Sequence, residues 1–261
     1  MKRLGFIGMG NMASAILLGA LKAGYLHAEQ VYAYDIDQKK VEAMGRETGI
    51  HPASTAEELV AQSDIVLMAV KPYNIEEVVK EHYDAFKGKA IISIALGWTY
   101  EKYREILPQE TRVAFVMPNT PCMVGEGMAL LEETNNLAPE ELEFTKGLFE
   151  SIGKLLPVKT SLMNVGGTLS GCGPAFLYVI MEALADGAVF HGLPRDMAYT
   201  LVSQMVLGSG KMLAESGLHP GKLKDNVCSP AGSTIRGVRA LEDGNIRATL
   251  IDAIDRAVMM K

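Results

Sequence analysis

The chain has 261 residues, of which 48% are hydrophobic, 21% charged and 7% aromatic, and a net charge of −6. That balance excludes a disordered, collagen-like or coiled-coil chain, and the acidic surplus lacks the basic footprint of a nucleic-acid binder. Cys122, Cys172 and Cys228 stand too far apart for a zinc motif and predict reduced thiols in a cytoplasmic protein.

In chain order, short apolar runs at residues 3–8, 30–35, 65–70, 90–95, 112–117 and 128–131 predict strands. Helical patterns fall between several of them, at residues 12–23, 39–48, 75–85 and 139–151. Alternation of this kind predicts an α/β fold, a doubly wound parallel sheet of Rossmann type with right-handed crossovers. The charge sits in the same part: residues 1–160 hold 16 Lys/Arg and 22 Asp/Glu, which leaves 9 and 9 for residues 161–261. Beyond residue 162 the strand signal ends, and residues 174–191, 195–216, 231–243 and 246–260 read as helices. We therefore expect a dinucleotide-binding domain at 1–162 and an all-α domain at 163–261.

A helical module of that size has difficulty burying its apolar faces alone. Residues 174–190 are apolar nearly all round except Glu182 and Asp186, which predicts a homodimer through the C-terminal helices; packing on the first domain is the alternative. No membrane span is expected. The longest clean apolar run, residues 65–70, is about a third of the ~20 residues a bilayer requires, and no signal peptide is evident at Lys2-Arg3.

The first strand runs through Ile7 into Gly8-Met9-Gly10-Asn11-Met12-Ala13, a helix follows, and a second strand ends at Asp35. This is the context in which a glycine fingerprint binds a dinucleotide: Gly8 for the turn, Gly10 for close approach of the pyrophosphate, and the helix N-terminus for its charge. Asp35 favours NADH, because an acid there accepts from a ribose 2′-hydroxyl and repels a 2′-phosphate; an acid after a strand is also a common helix cap. Asp37 adds negative charge, and Lys39 and Lys40 offset it.

Further motifs sit at strand ends and in the helical part: Ala69-Val70-Lys71-Pro72, Met117-Pro118-Asn119-Thr120-Pro121, Ser170-Gly171-Cys172-Gly173-Pro174-Ala175, and residues 219–234 with Cys228-Ser229-Pro230-Ala231-Gly232-Ser233-Thr234. In this order, and over essentially the whole chain, they resemble the pyrroline-5-carboxylate reductase family. The resemblance implies a Rossmann domain, a helical domain interlocked with its twin in a dimer or a larger assembly, and reduction of 1-pyrroline-5-carboxylate to L-proline with NAD(P)H. Many members favour NADPH and carry small polar residues where this chain has Asp35. A second departure is Ala231, where a glycine is often found. The resemblance also puts Ala69, Val70, Lys71 and Pro72, and Ala95 and Gly97, beside the cofactor. Lys71 is read either as a cofactor contact or as a general acid, and Asn119 either as shaping the nicotinamide pocket or as part of a rigid loop.

For the substrate carboxylate, Ser229 reads as an N-cap with Pro230 at the first helical position, so that the N–H groups of Gly232, Ser233 and Thr234 face an anion. The resemblance assigns these residues to the carboxylate and the Thr234 hydroxyl to the ring nitrogen. The alternatives are a β-hydroxyacid dehydrogenase, which needs a catalytic lysine for which Lys211 is the candidate, or a non-enzymatic dinucleotide-binding regulator.

Overall fold

A computed structural model of the chain describes residues 2–258, and it divides into two compact units, Met1–Gly171 and Cys172–Lys261. The first unit holds one eight-stranded sheet. Its predicted strands form as β1 (Leu4–Ile7), β2 (Val31–Tyr34), β4 (Ile65–Met68), β5 (Ala90–Ser93), β6 (Arg112–Met117) and β7 (Gly127–Glu132). Two more strands were not expected, the two-residue β3 (His51–Pro52) and β8 (Gly153–Val158). Gly153, Lys154 and Pro157 mask the apolar pattern of β8, and its place at the sheet edge tolerates the proline.

The strand order is β3-β2-β1-β4-β5-β6-β7-β8, parallel throughout except that β7 runs antiparallel to β6. A parallel step takes a crossover of roughly a dozen residues or more. The link from β6 to β7 carries only the short 3₁₀ turn Thr120–Val124, so the chain doubles back. The central strands β1 and β4 are apolar at every position because both faces are covered. Leu4, Phe6, Ile65 and Leu67 pack with α1 (Asn11–Lys22), α2 (Gln38–Thr48) and α6 (Pro139–Glu150). Ile7, Val66 and Met68 pack with α3 (Ala56–Gln62), α4 (Ile75–Glu81) and α5 (Tyr100–Ile106) on the opposite face.

The helix expected at 174–191 is the second half of α7 (Thr160–Phe190), which runs unbroken through Pro174 for 31 residues. Its first turns pack on the sheet, with Met163 against Phe115 and Leu130, and the first compact unit extends along the helix to Gly171. By length and composition alone α7 could cross a membrane. A helix that begins at Pro174, as expected from the sequence, is shorter than this and carries Glu182 and Asp186.

The second unit contains the rest of α7, then α8 (Arg195–Ser216), α9 (Pro220–Asn226), α10 (Ser233–Asp243) and α11 (Ile246–Val258). The short α9 falls between the predicted helices, and the predicted end of α11 at Met260 lies outside the described residues. Its fully buried apolar cluster is small, Ala185, Ala198 and Val202. Large apolar side chains stay exposed instead, among them Tyr178 (60%), Val179 (67%), Leu201 (56%) and Ile251 (63%).

Candidate active site

The glycine loop between β1 and α1 is built as the fingerprint requires. Gly8 has φ +92°, and a Cβ there would lie 2.9 Å from the Ala69 carbonyl oxygen, so only glycine fits between the two strand ends. Gly10 is the N-cap of α1, and a Cβ on it would meet no protein atom within 4 Å, which leaves the space above the loop open. The first intrahelical bond runs from Ser14 N to Gly10 O, so the N–H groups of Asn11, Met12 and Ala13 have no acceptor in their own helix. An open cradle lined by free donors at a positive helix end fits a dinucleotide pyrophosphate.

Asp35 follows β2 directly. Its carboxylate accepts from Met9 N at 2.7 Å and from Asp37 N at 2.9 Å, while Gly8 N donates to the Tyr34 carbonyl at 2.8 Å. The acid therefore ties the tip of β2 to the glycine loop. Asp35 is not the cap of α2: Asp37 occupies that position and makes no side-chain cap bond.

Two loops follow on one side of this cradle in the sheet order. After β4, Ala69 N bonds the Ile7 carbonyl at 2.8 Å, exposed Lys71 precedes a 3₁₀ turn at Pro72–Asn74, and Val70 is half-buried. After β5, Ala95 N donates to Ser93 Oγ at 3.2 Å, Ser93 Oγ meets the Tyr103 hydroxyl at 2.7 Å, and Lys102 Nζ donates to the Gly97 carbonyl at 2.7 Å. Burial pushes the Tyr103 phenol up, so it stays protonated. Asn119 is 7% exposed and both ends of its amide are engaged: Nδ2 donates to the Ser170 carbonyl at 3.0 Å, and Oδ1 accepts from Met128 N at 2.8 Å.

The turn before α10 departs from its predicted form. The helix begins at Ser233 with Gly232 as N-cap, not at Pro230 behind a Ser229 cap. Gly232 N is spent on the Ser229 carbonyl at 3.0 Å, so it is no anion donor; the free first-turn donors are the N–H groups of Ser233, Thr234 and Ile235. A Cβ on Gly232 would lie 2.3 Å from Ser229 Oγ, so the glycine makes room for Ser229. Ala231 has φ +58°, the left-handed region that favours glycine, and the Arg236 guanidinium donates to its carbonyl at 3.0 Å. Ser229, Ser233 and Thr234 are exposed.

Of the cysteines, Cys122 is buried, which pushes its thiol up to about 11; Cys172 is exposed and Cys228 half-buried. Residues that sequence reasoning missed are Ser93, Tyr103 and Trp98, whose indole Nε1 donates to the Pro72 carbonyl at 2.8 Å. No spacing pattern signals them; the only cue is that Trp98 is the chain's one tryptophan.

Comparison with known proteins gives matches in both parts. Residues 160–261 match the family model described as pyrroline-5-carboxylate reductase dimerisation, and residues 3–97 match NADP oxidoreductase coenzyme F420-dependent. Pyrroline-5-carboxylate reductase of Methanosarcina acetivorans is 40% identical over 98% of this chain and 95% of its own. The enzyme of Escherichia coli is 36% identical over 98% and 96%. Among solved structures, Plasmodium falciparum pyrroline carboxylate reductase with NADP bound superposes with TM-score 0.89 at 33% identity, over 98% of this chain and 95% of that one.

Proposed function

The chain belongs to the pyrroline-5-carboxylate reductase family, and we propose that it reduces 1-pyrroline-5-carboxylate to L-proline with NAD(P)H. The observation that carries the substrate assignment is the turn before α10. Between Ser229 and Thr234 the backbone is folded tightly and delivers free N–H donors at the positive end of an 11-residue helix. That arrangement suits a carboxylate.

The roles divide by unit. In the first, Ile7, Gly8, Gly10, Asn11 and Met12 form the phosphate cradle, and Ala69, Val70, Lys71, Pro72, Ala95 and Gly97 line the cofactor. Asn119 shapes its loop, with Nδ2 on the Ser170 carbonyl and Oδ1 on Met128 N. In the second unit, Ser229 and Gly232 set the turn, and the N–H groups of Ser233 and Thr234 receive the carboxylate. The Thr234 hydroxyl aligns the ring nitrogen. NAD(P)H, when bound, supplies the hydride for the C=N carbon. A protonated imine is already electrophilic, so no strong acid is demanded of the protein. Three of the five histidines are engaged structurally: His82 Nδ1 pairs with Glu57 at 2.5 Å, His51 stacks on Tyr32, and His219 Nδ1 accepts from Gly221 N.

Two finer readings belong to this proposal. Asp35, held by two N–H groups, cannot swing away from a 2′-phosphate, which favours NADH. The exposed apolar side chains of α7 and α8 are the surface through which a homodimer forms in the cytoplasm.

The experiment is Thr234→Ala. It should lower kcat/KM for 1-pyrroline-5-carboxylate tenfold or more, about 1.4 kcal/mol of transition-state stabilisation, with unfolding unchanged. Wild-type kinetics in this variant removes Thr234 from the mechanism.

A further inference from the structure

The loops after β4 and β5 come from separate strands, and nothing in the sheet's hydrogen bonding fixes one against the other beyond the last rungs. Ile94 N reaches the Met68 carbonyl at 3.1 Å, and past that point the two chains diverge. One side chain bridges them again. The Trp98 indole donates across to the Pro72 carbonyl at 2.8 Å, and its backbone N–H closes a turn onto the Ala95 carbonyl at 3.1 Å. Its ring packs on that of Tyr103 with centroids 5.2 Å apart, and Tyr103 in turn meets Ser93, which accepts from Ala95 N. The half-buried indole is thus anchored on one side by a fully buried ring and on the other by the neighbouring loop.

We propose that Trp98 is a positioning residue for the cofactor: its indole N–H staples the loop Ala69–Pro72 to the loop Ala95–Gly97, so that both walls are set before the cofactor arrives. The inference rests on the cofactor assignment above. The physical reason is preorganisation, since a loop already held in its bound shape loses less entropy on binding. Trp98 contributes no group to the reacting atoms; it acts through Pro72 and Ala95.

Because the chain has a single tryptophan, growth on β-(3-benzothienyl)alanine replaces that residue alone. The substitute keeps the ring shape and has a sulfur in place of the N–H. NADH and NADPH are titrated by calorimetry into the wild type, the substituted protein, Trp98→Phe and Gly10→Val. The Gly10→Val side chain meets no protein atom at its Cβ and reports on the cofactor site directly. One hydrogen bond of this kind is worth roughly a factor of 2 to 12, so the substituted protein should bind both cofactors about fivefold more weakly. Its KM for cofactor should rise in step while kcat and the KM for 1-pyrroline-5-carboxylate stay within twofold. Trp98→Phe should show at least the same loss. Unchanged cofactor affinity in the substituted protein, with Gly10→Val weakened, overturns the role of Trp98 alone. Unchanged affinity in Gly10→Val overturns the cofactor-site reading, and the staple with it.

Discussion

The side-chain amide of Asn119 donates to the Ser170 carbonyl at 3.0 Å, and that carbonyl is the one four residues before Pro174. In an α-helix it would accept from the N–H of residue 174, which proline lacks. Asn119, at the end of β6, supplies the missing donor, and this explains how α7 continues through a proline. Asn119→Ala should cost about 2 kcal/mol, since it orphans both the Ser170 carbonyl and Met128 N. Pro174→Ala should return about 1 kcal/mol of that by restoring the helical donor. Denaturant unfolding of the two single variants and the double variant measures the coupling, and strictly additive costs would dismiss the pairing.

Asp35 bears on cofactor choice. Asp35→Asn keeps an acceptor for the Met9 N–H and removes the charge. The ratio of kcat/KM with NADPH to that with NADH should rise at least tenfold, about 1.4 kcal/mol, while the glycine loop stays intact. A wild type that already prefers NADPH strongly would refute the NADH assignment.

Ala231 holds the left-handed conformation at φ +58°, and the Arg236 guanidinium on its carbonyl helps to keep it there. Ala231→Gly should relieve up to about 1 kcal/mol of backbone strain. Arg236→Ala should raise the KM for 1-pyrroline-5-carboxylate severalfold, and adding Ala231→Gly should restore most of it. A double variant no better than Arg236→Ala would separate the two residues.

Glu141 takes both arms of the Arg112 fork at 2.8 Å. Burial pushes its carboxyl up, but the Arg112 guanidinium and the Ala138 N–H outweigh this and hold it below the ordinary range. A folded pKa below the unfolded one, about 4.3, means the unfolded chain binds more protons in acid. The stabilisation is fully present at neutral pH and is lost as pH falls through the carboxylate range. Unfolding free energies between about pH 6 and 3 should fall more steeply for the wild type than for Glu141→Gln. Parallel slopes would exclude the pair as a source of acid sensitivity.

Glu132 ends β7 fully buried, and its carboxylate accepts from Tyr100 N at 2.7 Å and Thr160 Oγ1 at 2.6 Å. It thereby joins the start of α5 to the start of α7. Glu132→Ala should destabilise the first unit by about 2–3 kcal/mol, and Glu132→Gln, which keeps one of the two acceptor oxygens, by less. Equal losses in both would place the effect in packing.

The α/β class, six of the eight strands, the glycine loop and the acid at Asp35 are legible in the sequence. These are local matters: apolar runs, turn glycines and short spacings act over a few residues. The sequence also carries the family motifs that point to the substrate. Which donors are free emerges only when the chain is folded. The N–H of Gly232 is consumed by Ser229, and Asp35 is tied to Met9. Pro174 is tolerated because Asn119, 55 positions away in the sequence, supplies its donor. Likewise the edge strand β8 and the Trp98 staple depend on partners distant along the chain. Hydrogen bonds are satisfied in three dimensions, and a residue's own neighbours in sequence do not reveal which partner will take them.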